Sequence, residues 1–390
     1  MKFNFDEIID RSHTGSVKQD KLITLYGDAD LIPLWVADTD FKSPPAIIEA
    51  LQKRVEHGIF GYTVPPEDYL HSIVRWLNKR HGWEVLKEHI SFVPGVVKGI
   101  AFAVDVFTET GDNIIIQPPV YHPFRLVPTA LERNVVNNPL ILDNGQYRMD
   151  FDGLRDILSR QTCRMLILCN PHNPGGRVWS DAELRELAEI CYDHGVMVIS
   201  DEIHADMALS GFSHIPFASV SAKAEEISLT LMAPSKSFNI AGIVSSFSVI
   251  PNKKIREQYL NYLIPRELSQ GTIFAYTATT AAYEEGEEWL NQMNDYVQGN
   301  VDFVDNYLKE HIPQIKAILP EASFLVWLDC RQLDLTQPEL VNLFVKKAHL
   351  ALNDGTIFGQ GGEGFMRLNV GTARSVLEKA LKNLKIAVNG

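Results

Sequence analysis

SLTLMAPSKSFNIAG, residues 228 to 242, is an apolar run that breaks at Pro234 and delivers Ser235, Lys236 and Ser237 in succession. A surface lysine needs neither flanking hydroxyls nor an apolar approach. A lysine that must condense with a carbonyl needs a dry pocket, which lowers its pKa and exposes the neutral amine. Alone, the segment reads more readily as a solvated turn between strand and helix. Two stretches upstream change that reading. RMLILC (164–169) runs into NPHNPGG, with Asn170 and Asn173, and VMVIS (196–200) runs into DEIHAD, with Asp201 and His204. Short apolar runs separated by helical segments are the pattern of buried parallel or mixed strands. In an open α/β sheet the ligand crevice lies beyond the carboxyl ends of the strands, where groups distant in sequence converge.

The rest of the chain fits the same architecture. AIIEALQKRVEH (46–57) and residues 67–81 have helical apolar spacing, and HISFVPGVVKGIAFAVDVF (89–107) reads as strand, glycine turn and helix. The amides of Gly95, Val96 and Val97 open that helix and form an anion site. DNIIIQPPVYHPF (112–124) sets Tyr121 just past a strand end, where an aromatic stacks on a ring or fills core. Helices are expected at 151–160 and 180–193 with a short piece near 218–225, and IVSSFSVI (243–250) is another strand. Residues 253–283 look helical around a break at Pro265, and a long helix follows over 289–311. A second, smaller α/β unit comes next: ASFLVWLDCR as a strand, a helix over 337–348, GFMRLNVGTAR as a strand containing Arg367, and a closing helix from Ser375. The expectation is an α/β protein with a large domain, 47–287, built on a mostly parallel central sheet, and a small domain assembled from 1–46 and 288–390. In LIPLWVADTDF (31–41) the carboxylates Asp38 and Asp40 have no histidine beside them, so a capped turn before the helix starting near Pro44 and Pro45 is expected. IFGYTVPP (59–66) places Tyr62 on an irregular, exposed loop.

Bulk properties exclude several classes. Lys plus Arg number 36 against 49 Asp plus Glu, a formal charge of −13, which argues against nonspecific binding to nucleic acid or anionic membrane. Cys163, Cys169, Cys191 and Cys330 show no metal-ligand spacing and read as small buried hydrophobes in a reducing compartment. No metal site is expected. The start, MKFNFDEIIDR, lacks the apolar core of a signal peptide, and no stretch nears the roughly 18 apolar residues of a membrane span. A cytoplasmic protein is expected.

If a planar, phosphorylated pyridine aldehyde is joined to Lys236, each piece acquires a role. Asp201 would pair with the ring nitrogen and keep it protonated, so that the ring accepts electrons from the substrate α-carbon. Asn173 would donate to the ring oxygen and Tyr121 would stack on one face. The amides of Gly95 to Val97 and the Ser235 hydroxyl would receive the phosphate. Arg367 offers a planar fork for an amino acid's carboxylate.

NPHNPGG, DEIHAD and SKSFNIAG, in this order and with RLNVGTAR near the end, resemble the pyridoxal-phosphate enzymes of the aspartate aminotransferase fold, fold type I. More narrowly, WVADTDF, FGYT, VPGVVKGI, PPVYHPF, DEIHAD and APSKSFNIAG resemble the MalY/PatB family of cystathionine β-lyases along nearly the whole chain. The resemblance implies pyridoxal 5'-phosphate as cofactor, with Lys236 as the Schiff-base lysine, Asp201, Asn173, Tyr121 and His204 around the ring, and Arg367, Ala37 and again Asn173 on the substrate. It also implies a homodimer in which Tyr62 reaches the cofactor phosphate of the neighbouring site. Three positions depart from the pattern: Gln19 stands where the family often has tryptophan, Gly371-Thr372 where it often has Cys-Pro, and Ala233 where fold relatives place a serine. The implied reaction is α,β-elimination of a thiol from an S-substituted cysteine, with an aminotransferase as first alternative. A protein that binds the cofactor and acts mainly through a regulatory partner is the alternative of another class.

Overall fold

The computed structural model describes residues 2–390. The three apolar runs that end in chemistry form the middle of a seven-stranded sheet. Its order is Ile90–Val93, Ser246–Val249, Ser228–Met232, Met197–Asp201, Met165–Cys169, Asn113–Ile116 and Asn134–Asn137. Every pairing is parallel except those of Ser246–Val249, which runs antiparallel to both its neighbours. The runs Met165–Cys169 and Ser228–Met232 are buried at every residue, as strands covered on both faces must be. Asn134–Asn137 was not legible as a strand. Its end residues are exposed and only its two valines turn inward, as befits a sheet edge.

Helices seal the faces. Val96–Phe107 buries Val96, Gly99, Ile100, Ala103 and Val104, one stripe at helical spacing. Gly99 is required there, because a Cβ would stand 2.7 Å from Leu231 Cδ2. Asp181–Asp193 starts at a capping box in which Ser180 Oγ accepts from the Glu183 amide and the Glu183 carboxylate accepts from the Ser180 amide. It buries Leu184, Leu187, Ala188, Ile190 and Cys191, each large side chain contributing about 1.5–3 kcal/mol. The expected break at Pro265 falls between helices Lys253–Leu263 and Ile273–Glu285.

The long helix Glu287–His311 leads to a four-stranded antiparallel sheet ordered Lys316–Ile318, Leu325–Asp329, Phe365–Asn369 and Asn353–Asp354. The N-terminal segment packs on these elements. Ile32–Pro33 pairs in parallel with Leu350–Ala351, and Phe5 meets Trp289 and Tyr296 ring to ring. The helix expected at 337–348 is α-helical only over Gln337–Asn342 and widens into a π-helical turn over Leu343–Lys347.

Asp38 and Asp40 do not cap the helix that follows them; Pro44 stands at its cap position and no side chain bonds there. They bind cations from the N-terminal segment instead. Arg11 Nη2 lies 2.6 Å from Asp38 Oδ2 and its Nη1 2.9 Å from Asp40 Oδ1, while the fully buried Lys18 places Nζ 2.9 Å from Asp40 Oδ1. Local spacing cannot reveal partners twenty or more residues upstream. Replacing Lys18 with methionine leaves Asp40 with Arg11 alone, and stability is expected to fall by about 3 kcal/mol. A lower urea midpoint at unchanged m-value checks this; an unchanged midpoint would count against the ion cluster as a structural clasp.

Candidate active site

Cys169, Asp201 and Met232 end three adjacent parallel strands, with Cys169 in register with Asp201 and Asp201 with Leu231. The loops that follow therefore leave the sheet at one edge. Between them lies a cavity of about 310 Å³ lined by Ala37, Gly95, Val96, Val97, Tyr121, Asn173, Asp201, His204, Ser235 and Lys236. Pro94, Lys98, Cys169, Ile203, Ala241, Val244, Ser245 and Ser246 complete its wall. Ten of the twelve residues singled out from sequence share this one space. Its size suits a small organic ligand.

The other two lie elsewhere. Tyr62 is fully exposed on its loop. Arg367 is buried behind Asn173, with Nη1 donating to Asn173 Oδ1 (3.0 Å) and Nη2 to Asn353 Oδ1 (2.6 Å) and the Trp35 carbonyl (2.9 Å); its Nε has no partner among the described residues. A guanidinium only donates, so this contact fixes the Asn173 amide with Oδ1 toward Arg367 and leaves Nδ2 to donate. Asn170, carried on the same stretch, is structural: its Nδ2 bonds the Ile215 carbonyl.

Burial sets the ionisation of the two central groups. Desolvation lowers the Lys236 ammonium to about 8 against its ordinary 10.5, the carboxylates of Asp38 and Asp201 opposing the shift and the charge of Arg367 adding to it. Lys236 Nζ donates to the Ala37 carbonyl at 2.6 Å. Desolvation likewise raises the Asp201 carboxyl to about 7, opposed by a hydrogen bond from the Ile203 amide and by Lys236. Burial drives His204 down to about 3, so its imidazole is neutral; Nδ1 has no partner and the ring lies edge-on to Phe324. A neutral amine beside a protonatable carboxyl, away from bulk water, can condense with a carbonyl and can take a proton from carbon.

DEIHAD divides by direction. Asp201 and His204 line the cavity, whereas Glu202 and Asp206 are engaged in a buried polar network. Asp206 accepts from Trp76 Nε1 (2.8 Å) and Ser237 Oγ (3.2 Å) and lies 3.0 Å from His81 Nε2. Glu202 accepts from Ser200 Oγ and the Phe217 amide and lies 2.7 Å from His214 Nε2.

Sequence reasoning missed several contributors. Asn239, three residues past the lysine, holds the carbonyls of Thr39 and Phe41, and Asn369 holds those of Val36 and Asp38. The Ser245 hydroxyl lines the cavity without a hydrogen-bond partner. The serine pair opening IVSSFSVI was its signal in the sequence. Lys98 left one too, as a cation in the first turn of a helix.

A family model described as aminotransferase class I and II matches residues 29–384. The chain is 44% identical over 386 residues to the cystathionine beta-lyase PatB of Bacillus subtilis strain 168, covering 99% of this chain and 100% of that protein. It is 34% identical over 388 residues to the protein MalY of Escherichia coli K12, covering 99% of each. Among solved structures it is similar to cystalysin from Treponema denticola, which contains a pyridoxal 5'-phosphate cofactor. The TM-score is 0.96 at 34% identity, covering 100% of this chain and 99% of that one.

The lowered lysine pKa has a direct readout. With the chain free of small molecules, reductive methylation of Lys236, followed by peptide mass spectrometry, is expected to reach half its maximum near pH 8, where solvated lysines need a pH above about 10. Asp201→Asn removes a carboxylate that favours the ammonium, so the midpoint should move lower still; a midpoint above 10 in the unaltered protein would refute the dry pocket.

Proposed function

The chain belongs to the aminotransferase class I and II family, in the group of PatB and MalY, and from that premise we propose that it is a pyridoxal-phosphate-dependent carbon–sulfur lyase. It cleaves cystathionine or another S-substituted L-cysteine, with water, into a thiol, pyruvate and ammonia. The observation that carries the reading is that the buried Asp201 and the half-buried Lys236 line one cavity.

The residues present fit the cofactor. Lys236 supplies the amine for its aldehyde, Asp201 a carboxyl for the pyridine nitrogen, and Asn173 Nδ2 a donor for the ring oxygen. Tyr121 offers a ring face and His204 a neutral imidazole nitrogen without a partner. The amides of Gly95, Val96 and Val97 with the Ser235 hydroxyl take the phosphate, at a helix start that favours anions. When bound, pyridoxal 5'-phosphate accepts the electron pair left at the substrate α-carbon as its proton departs.

Asp201, raised toward neutral chiefly by burial and further by Glu202, would be the carboxyl to ionise beside a protonated ring nitrogen, since a nearby opposite charge offsets desolvation. Lys236, as a neutral amine, takes the α-proton as general base. The Ala37 carbonyl, 2.6 Å from Nζ, fixes where that amine stands in the cavity. We assign the substrate carboxylate to Arg367, whose Nη atoms are engaged by Asn173, Asn353 and the Trp35 carbonyl and whose Nε has no partner among the described residues; orienting that carboxylate would select the bond that breaks. Ile203, Ala241 and Val244 give the departing thiol an apolar wall.

We further read the protein as a cytoplasmic homodimer. Four cysteines without disulfides suit a reducing compartment. The loop carrying Tyr62 also exposes Ile59, Phe60 and Val64, an apolar stretch that a second copy would cover, bringing Tyr62 to the neighbouring phosphate.

Purified protein is expected to release pyruvate and thiol from cystathionine without a keto-acid acceptor, and Lys236→Ala to lose the visible absorption band and at least about a thousandfold in turnover. Strict dependence on an acceptor would instead identify a transferase. Mixing the Lys236→Ala and Tyr62→Ala chains, refolded together, should give more activity than the two preparations added, because one site of each hybrid holds both native residues; additive activity would rule out shared sites.

A further inference from the structure

Lys98 is the third residue of helix Val96–Phe107, inside the turn where backbone dipoles create positive potential. A cation there is repelled by its own helix. No acidic residue shares that turn, and Lys98 makes no ion pair among the described residues. Its side chain folds back along the helix start, Cδ lying 3.9 Å from where a Cβ on Gly95 would stand, and it lines the same cavity as the amides of Val96 and Val97. The first intrahelical bond runs from the Gly99 amide to the Gly95 carbonyl, so the amides of 96–98 have no partner within the helix.

Ser245 independently points to a ligand at this cavity. Its side chain is 2% exposed and lines the cavity, and Oγ is buried without any hydrogen-bond partner among the described residues. A buried hydroxyl left unmatched costs stability unless something is meant to bind it. Ser235 and Ser246, also in the lining of this cavity, add neutral donors. An anion drawn into this end would find hydroxyls and amides, and one full positive charge.

We propose that Lys98 and Ser245 complete the anion-binding part of the cavity, Lys98 supplying one positive charge towards a phosphate monoester dianion and Ser245 a buried hydroxyl donor. The inference rests on the cofactor reading above and assigns these two residues to its phosphate. Lys98 sits at the solvent edge, so its contribution is a salt-sensitive one.

The test is binding, not turnover. The full-length chain freed of cofactor is titrated with pyridoxal 5'-phosphate and with pyridoxal, which carries the same ring and aldehyde without phosphate, and both are followed by absorbance. Lys98→Met is expected to weaken the phosphorylated form about tenfold, as loss of one exposed charge contact does, and to leave pyridoxal unchanged. Lys98→Arg should restore affinity, and raising salt should narrow the gap between unaltered and Met chains. Ser245→Ala should likewise weaken only the phosphorylated form. Equal losses for both compounds, or no loss for either, would overturn the assignment while the cofactor reading stood. Failure of the unaltered chain to bind either compound would sink the cofactor reading and this one together.

Discussion

The withdrawal of one amine and one carboxyl from water, into the same cavity, is the constraint on which the structure turns. Moving Lys236 from 10.5 to about 8 and Asp201 from 3.8 to about 7 disfavours their charged forms by roughly 3 and 4 kcal/mol. Together that cost is comparable with the whole net stability of an ordinary domain. It is tolerable because Asp201 ends a largely buried strand and Lys236 lies four residues past another that is buried at every position, where neighbouring apolar side chains outweigh it many times over. The same rigidity keeps the groups apart from solvent: a pair on mobile loops would rehydrate and return to ordinary pKa values.

The wall opposite the sheet has no such scaffold. Residues 35–41 form an irregular stretch, and irregular backbone needs partners for its carbonyls. Here side chains from distant elements provide them: Arg367 bonds the carbonyl of Trp35, Asn369 those of Val36 and Asp38, Lys236 that of Ala37, and Asn239 those of Thr39 and Phe41. Asn239 does so from a left-handed conformation, φ 55°, which asparagine adopts more readily than most residues. Arg11 and Lys18 then pin the carboxylates of the same stretch. A loop held at nearly every carbonyl can present Ala37 to the lysine as reliably as a strand would.

What the sequence disclosed follows from this division. Lys236, Asp201 and Asn173 were legible because each follows a short apolar run, and strands of that kind converge at their carboxyl ends. The helix-opening amides at 95–97 were legible from a glycine between strand and helix patterns. Nothing local marks Asn239 or Asn369 as loop holders, and the pairing of Asp38 and Asp40 with Arg11 and Lys18 depends on a fold-back that periodicity does not encode. Arg367 was found as a residue but not as a neighbour: its contact with Asn173 joins strand Phe365–Asn369 to a loop 194 positions earlier. Tertiary hydrogen bonds between polar side chains carry no sequence period, so they are where such reading stops.

DEIHAD shows how a site depends on charges outside it. Asp201 is followed by a second buried acid, Glu202, whose charge pushes the Asp201 pKa further up. Left alone, two adjacent buried carboxylates would keep Asp201 protonated and unfit to pair with a cationic ring nitrogen. Glu202 is instead satisfied by Ser200, the Phe217 amide and His214, and Asp206 by Trp76, Ser237 and His81, with the two imidazoles packed edge to face at 5.2 Å. Its hydrogen bonds, led by the one from His81, hold Asp206 below the usual carboxylate range despite burial. The network thus holds Glu202 and Asp206 out of the cavity lining, and reaches Ser237, the residue next to Lys236. The electrostatic setting of the lysine and the aspartate is therefore built by neighbours that never face the ligand.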